Sequence, residues 1–193
     1  MEYKIEPDIE IAYKDLKENI RDALAKQNKT NFDFDIIDRA FLFAYDKHKT
    51  QKRASKESYI IHPINTAKIV TRLLLDENTI AAALLHDVLE DTQTKEEEIE
   101  SNFGPDVLNL VKALTKIESL QYKSAEQKQA DNFRKLLVSI ANDLRVILIK
   151  LADRLHNMRT IVYLNEEKRK RIAKETLDIY APIAHRLGIY LSL

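Results

Sequence analysis

Only two of the 193 residues are glycine, Gly104 and Gly188, and they lie far apart. Loops that cradle phosphates need several closely spaced glycines, so that backbone N–H groups can approach the phosphate oxygens. Neither a P-loop nor a dinucleotide-binding fingerprint can be written with this pair, which excludes kinase-like, GTPase-like and Rossmann chemistry. Few glycines, four prolines and many Ala, Leu, Lys and Glu residues favour helices instead. Strand-type alternation is confined to Tyr59-Ile60-Ile61, too short to build a sheet. The expectation is one all-α domain over residues 1–193, with no internal repeat, linker or low-complexity tract.

Charge narrows the partners. Lys plus Arg (31) balances Asp plus Glu (31), whereas a general nucleic-acid or membrane-surface binder carries a basic excess. An anionic ligand must therefore be met by a local patch, and no direct nucleic-acid binding is expected. No cysteine is present, hence no disulfide, thiolate metal site or cysteine nucleophile. The first residues lack the apolar core of a signal peptide, and no apolar run approaches the roughly eighteen residues of a membrane span. A soluble, cytoplasmic protein is expected.

Periodicity predicts amphipathic helices over Ile9 to Ala25, N-capped by Asp8, and over Asp33 to Lys47. Lys49 to Ser58 reads as a basic loop, and Pro63 as part of the first turn of a helix running to about Leu75. One helix is expected over Thr79 to Asp91, its IAAALL run apolar enough to be central. Lys95 to Phe103 is a short acidic helix stopped by Gly104-Pro105, and Asp106 to Lys116 resumes it. A connection over Glu118 to Ser124 leads to helices over Ala125 to Asn142 and Leu144 to Ile161. Glu166 to Arg186 follows, broken or kinked near Pro182.

Three segments concentrate polar chemistry. In HDVLED, helical spacing pairs His86 with Glu90 and Asp87 with Asp91, three carboxylates that repel one another unless a cation or proton compensates. In KLADRLHNMRT, Asp153, Asn157 and Thr160 form one polar stripe. The bland readings are a solvated acidic helix end and a surface pair of Asp153 with Arg154 or Lys150, which contributes little. The third segment is His62 before Pro63, a rigid position for an imidazole. Together His62, His86, Asp87 and Asp153 offer two nitrogens and two carboxylates, a set suited to Mn, Fe, Co or Zn with positions left open for water and substrate. Lys49, Lys52, Arg53 and Lys56 supply local positive charge, or are simply solvated. His48, His156 and His185 fall outside the candidate ligand set. His156 reads as structural or as support for a ligand, and His185 as a favourable charge at a helix end.

The order His62, His86-Asp87, Asp153 resembles the HD phosphohydrolase superfamily. HDVLEDT, KLADRLHNMRT, YAPIAHRLGI, YIIHP and YKSAEQKQADNFRKLL more specifically resemble the hydrolase domain of the RelA/SpoT homologue family, over about Asp33 to Ile189; residues 1–30 carry no such likeness. The resemblance implies an all-helical HD fold and a manganese ion, or another divalent ion, held by His62, His86, Asp87 and Asp153. Glu90 and Asp91 match the acidic pair that orients and deprotonates water. Arg53 and Ser55 match positions against the nucleotide, with Lys52 and Lys56 as further phosphate contacts, and Asn157 and Thr160 match positions lining its pocket. The implied reaction is hydrolysis of the 3′-pyrophosphate of (p)ppGpp to GDP or GTP and pyrophosphate, controlling alarmone levels in the stringent response.

The basic loop departs from the family pattern H-x-G-Q-x-R-K-S-G-E-P-Y. Thr50 and Lys56 replace glycines, Ala54 a lysine and Ser58 a proline. Non-glycine residues disfavour positive φ, so a different loop path is expected. YAPIAHRLGI is where long family members continue toward a synthetase domain, so this chain reads as a fragment preceding one. Two alternatives remain: an HD phosphatase for another nucleotide, and a non-catalytic HD domain that binds alarmone for regulation.

Overall fold

The computed structural model describes residues 5–73, 76–118 and 143–189, and these form helices and short connections with no strand. The helices are α1 (Pro7–Lys26), α2 (Phe34–His48), α3 (Ile61–Leu73), α4 (Glu77–Leu85), α5 (Val88–Asp91) and α6 (Glu96–Glu118). After them come α7 (Leu144–Arg159), α8 (Glu166–Glu175) and α9 (Ala181–Arg186), with a 3-10 turn (Ile161–Tyr163) before α8 and a π turn (Thr176–Tyr180) after it. The connection and helix expected over residues 119–142 lie outside the described residues.

Short polar side chains set four of the starts. Asp33 accepts from Asp35 N, Asp76 from Thr79 N, Asp143 from Arg145 N and Asn165 from Lys168 N, each satisfying an amide that the first helical turn leaves unpaired. α1 differs from expectation. It begins two residues early because Pro7, which has no N–H to lose, occupies its first turn; Glu6 holds the N-cap position and Asp8 lies within the helix.

α4 is the centre of the bundle. Ile80 to Leu85 are buried on every side, and α4 packs against α2, α3, α6 and α7. Ala81, Ala82 and Ala83 supply little bulk, so those neighbours approach closely. α1 packs on α3, and α3 on α7, which brings the starts of α3 and α5 beside the middle of α7. No helix among the described residues is long and apolar enough to cross a membrane.

Three interruptions have local causes. α6 is broken at Gly104, whose φ of 84° and ψ of 170° are accessible almost only to glycine, and Pro105 restarts it. The last predicted helix loosens ahead of Pro182. Proline has no N–H to offer the Asp178 carbonyl, and the Ala181 amide reaches back to the Thr176 carbonyl in a π turn. The predicted helix over Thr79 to Asp91 is not continuous. α4 ends at Leu85, and Asp87, at φ −94° and ψ −6°, sits in the sparsely allowed bridge region and redirects the chain into α5.

A Cβ built on Gly104 meets nothing within 4 Å, so its replacement tests backbone strain alone. Gly104→Ala is expected to lower the unfolding free energy by about 1–3 kcal/mol. Urea denaturation measures it, and an unchanged midpoint would show that the kink relaxes freely.

Candidate metal centre and cleft

The break after α4 decides where the ligating groups point. His86 Nδ1 is 2.8 Å from the Ala83 carbonyl, so this nitrogen carries the proton and donates it. In the neutral imidazole Nε2 then holds the lone pair, and this atom is buried and without a hydrogen-bond partner. It lies 3.1 Å from Asp87 Oδ1 and 3.9 Å from Asp153 Oδ1. His62, in the first turn of α3, places its Nε2 3.2 Å from Asp153 Oδ1 and 3.6 Å from Asp87 Oδ2. One ligand atom from each of His62, His86 and Asp87 falls within 4.8 Å of the others. An orphaned imidazole nitrogen facing two carboxylates and a second imidazole suits a divalent cation of borderline softness. These residues therefore fit a metal ion.

Neighbouring groups fix the orientation of the four. His62 Nδ1 is 2.7 Å from His156 Nδ1, so one of the two must donate and the other accept. Burial, then the charges on His62 and Arg53, push His156 down to about 3. His156 is thus neutral, and a cation held at His62 Nε2 would require His62 Nδ1–H to donate to His156 Nδ1. Asp153 Oδ1 accepts from Asn157 Nδ2 at 2.6 Å, and its Oδ2 lies 3.2 Å from Lys150 Nζ. The pairing of Asp153 with Lys150 considered from sequence exists, but both residues are buried. Arg154 instead pairs with Glu175 and lies over the Tyr180 ring.

Electrostatics separate the two histidines in the metal-free chain. Burial would lower His86, but the Asp87 and Asp153 carboxylates overcome it and raise the imidazole to about 9. Burial prevails at His62 and lowers it against the pull of Asp153 and Asp87. At Asp153 burial is opposed by Lys150, His62 and His86, which hold the carboxyl well below its usual range.

The cluster forms the floor of a cleft of about 400 Å³. Of the residues predicted for the site, Lys52, Arg53, Ser55, His62, Asp87, Glu90, Asp91, Asp153, Asn157 and Thr160 line it. His86 lies behind the floor without lining the cleft, and Lys56 does not line it either. Burial raises the Glu90 carboxyl, and Asp91, Asp87 and Asp153 add to that shift while Lys150 opposes it. Arg53 donates to Asn157 Oδ1 at 2.9 Å and to Thr160 Oγ1 at 3.3 Å.

The basic loop is a small hairpin. Lys52 and Ser58 form a bridge, Arg53 N–H donates to the Glu57 carbonyl, and Lys56 N–H to the Arg53 carbonyl. Lys56 has a φ of 71° and occupies the left-handed position that follows the turn in a three-residue hairpin, where glycine is favoured. A lysine here adopts the left-handed conformation that glycine favours, at some conformational cost. Thr50 is not among the described residues of positive φ. Tyr59 to Ile61, too short for a sheet, forms none: Tyr59 and Ile60 lie in a turn and Ile61 opens α3.

Sequence reasoning missed five lining residues: Ala54, Tyr59, Tyr163, Leu164 and Lys168. Tyr163 and Leu164 follow the polar stripe of α7 across the 3-10 turn, and Lys168 stands in the charged run of α8, where nothing marks it from its solvated neighbours. Tyr59 stands three residues before His62, a spacing that points to a shared face once the helix is extended backwards.

Residues 40–190 match the profile of an HD domain family. The chain is 55% identical over 154 residues to a guanosine-3′,5′-bis(diphosphate) 3′-pyrophosphohydrolase of Aquifex aeolicus, covering 80% of this chain and 22% of that protein. It is 52% identical over 154 residues to the GTP pyrophosphokinase rsh of Brucella melitensis, covering 80% and 20%. The chain thus spans about a fifth of the length of these curated relatives. A solved structure of a metazoan ortholog of SpoT, described as hydrolysing ppGpp, superposes with a TM-score of 0.64 at 29% identity, covering 83% of this chain and all of that one.

His86 titrates above its ordinary 6.5 in the metal-free fold, so its contribution to stability is fully present below 6.5 and is lost as pH rises through about 9. The same proton competes with a cation. The affinity for Mn²⁺ is therefore expected to climb with pH and level off above about 9. Calorimetric titration of metal-free protein across this range measures it; a pH-independent affinity would remove His86 from the ligand set.

Proposed function

Since the chain belongs to the HD-domain family, we propose that it hydrolyses the 3′-pyrophosphate of (p)ppGpp, using a divalent ion, manganese by preference, held by His62, His86, Asp87 and Asp153. The observation that carries the reading is the buried, unpartnered His86 Nε2 behind the floor of a cleft whose rim bears Lys52, Arg53 and Lys168. The likeness to proteins named for this hydrolysis supports the choice of substrate.

A divalent ion supplies acidification of water and stabilisation of negative charge on phosphoryl oxygens. The rest falls to side chains. Glu90 and Asp91 stand at the mouth of the cluster, and one of them accepts the proton of the attacking water. The raised Glu90 carboxyl brings its basicity closer to neutral pH, where a general base is most effective. Water's oxygen joins the phosphorus next to the ribose, the bond from that phosphorus to the 3′ oxygen breaks, and the 3′ oxygen takes back the proton that the carboxylate accepted, giving GDP or GTP and pyrophosphate. Lys52, Arg53 and Lys168 meet the phosphates, while Ser55, Asn157 and Thr160 face the nucleoside. In this reading Lys56 adds long-range charge from outside the cleft. A synthetase domain elsewhere in the full-length protein is part of the same proposal, as is a cytoplasmic location.

Release of GDP and pyrophosphate from ppGpp with Mn²⁺ tests the reading. EDTA should abolish it, Asp87→Ala should lower it by more than about 100-fold, and Glu90→Gln or Asp91→Asn should lower kcat by about 10²–10⁴-fold. Tight ppGpp binding with no turnover would instead favour a regulatory domain, and turnover of a different nucleotide alone a different HD phosphatase.

A further inference from the structure

Tyr59 belongs to none of the roles above, yet its hydroxyl touches two of the groups that the proposed reaction requires. The oxygen lies 2.7 Å from Asp87 Oδ2 and 2.8 Å from Asp91 Oδ2. The ring is held in place from several sides. His48 stacks on it with centroids 4.8 Å apart and planes 26° apart, and the His62 ring meets it edge-on at 6.0 Å. Its amide donates to the Gln51 carbonyl at 3.0 Å. Gln51 is itself tied down, its Oε1 2.7 Å from His48 Nδ1 and its Nε2 donating to the Asp91 carbonyl at 2.7 Å.

A phenol has one proton to give, and two carboxylate oxygens compete for it here. The arrangement therefore does more than fill space: it draws two like-charged groups to one donor and fixes an oxygen of each. Asp87 has Oδ2 at the phenol and Oδ1 near His86 Nε2, so both of its oxygens are placed. Asp91 has Oδ2 at the phenol and its backbone carbonyl held by Gln51, so Oδ1 is the oxygen it can turn toward the cleft.

We propose that Tyr59 is a positioning residue that sets the orientation of Asp87 as a cation ligand and of Asp91 as a base through one shared hydroxyl, leaving Asp91 Oδ1 to take the proton of water. The proposal rests on the hydrolase reading. Its support is this double contact, held rigid by the His48–Gln51 brace.

Tyr59→Phe keeps the ring and its stacking and deletes only the hydroxyl. Loss of a group that orients metal ligands lowers metal affinity or activity by about 10–100-fold. The variant should therefore bind Mn²⁺ about tenfold more weakly in direct titration without substrate, and its kcat should fall by about 10–100-fold with KM for ppGpp nearly unchanged. Circular dichroism and thermal melting establish that it folds. A cycle with Asp91→Asn isolates the coupling: the loss of kcat from Tyr59→Phe should shrink in the Asp91→Asn background. Wild-type Mn²⁺ affinity and kcat in Tyr59→Phe would overturn the proposal, as would fully multiplicative losses in the cycle. A rise in KM without a change in kcat would overturn it too, by making Tyr59 a substrate contact. Absence of ppGpp turnover in the wild-type chain is a separate result: it removes the hydrolase reading, and the Mn²⁺ titration still decides the part that concerns Asp87.

Discussion

Asp153 is buried in the middle of α7 with one oxygen near Lys150 and the other near His62 and Asn157. An uncompensated carboxylate at that depth would cost several kcal/mol, so its charge has to be answered, by Lys150 one turn back on α7 and by imidazoles brought from elsewhere in the chain. His62 comes from the start of α3 and His86 from the junction of α4 and α5, which also brings in the Asp87 carboxylate as a second negative charge. The packing of α3 on α4 and α7 is what places them within reach. The alanines of α4 permit that approach, and the caps at Asp33, Asp76 and Asp143 set where the helices begin. The bundle and the polar cluster are thus one solution to two demands, an apolar centre and a neutralised charge beside it.

The helical class and the four clustered side chains were readable because their signals are short-range. Polar residues at helical spacing, HD beside an apolar run, and a glycine-proline stop at residues 104–105 each act within a turn or two of chain. The break between Leu85 and Val88 was not readable. Its propensities are helical throughout, and the interruption coincides with an imidazole turned onto its own backbone carbonyl and an aspartate in the bridge region. Tyr59 and Lys168 were missed for a related reason. What distinguishes them from an ordinary core tyrosine and an ordinary solvated lysine is the cleft they face, which exists only after α3, α5 and α8 are assembled. His156 shows the intermediate case: its place off the Asp153 stripe was legible, its contact with His62 was not.

The hairpin over residues 51–59 places a lysine where a three-residue turn favours glycine. Lys56 takes the left-handed conformation itself, and both backbone bonds of the turn form. Arg53 consequently still reaches Asn157 and Thr160 across the cleft. The lysine loses conformational comfort, not the geometry of the loop, because the bridge on either side determines the path more strongly than the one residue does.

The depth of the two halves of the cleft also separates their response to the medium. Imidazoles and carboxylates at the floor are shielded from solvent, whereas Lys52 and Lys168 stand in water. Mobile ions screen exposed charges over roughly 8–10 Å at physiological ionic strength and act far less on buried ones. Ionic strength is therefore a lever on one half alone: salt weakens the pull of the rim on a polyanion in solution and leaves the grip of the floor on a cation nearly untouched.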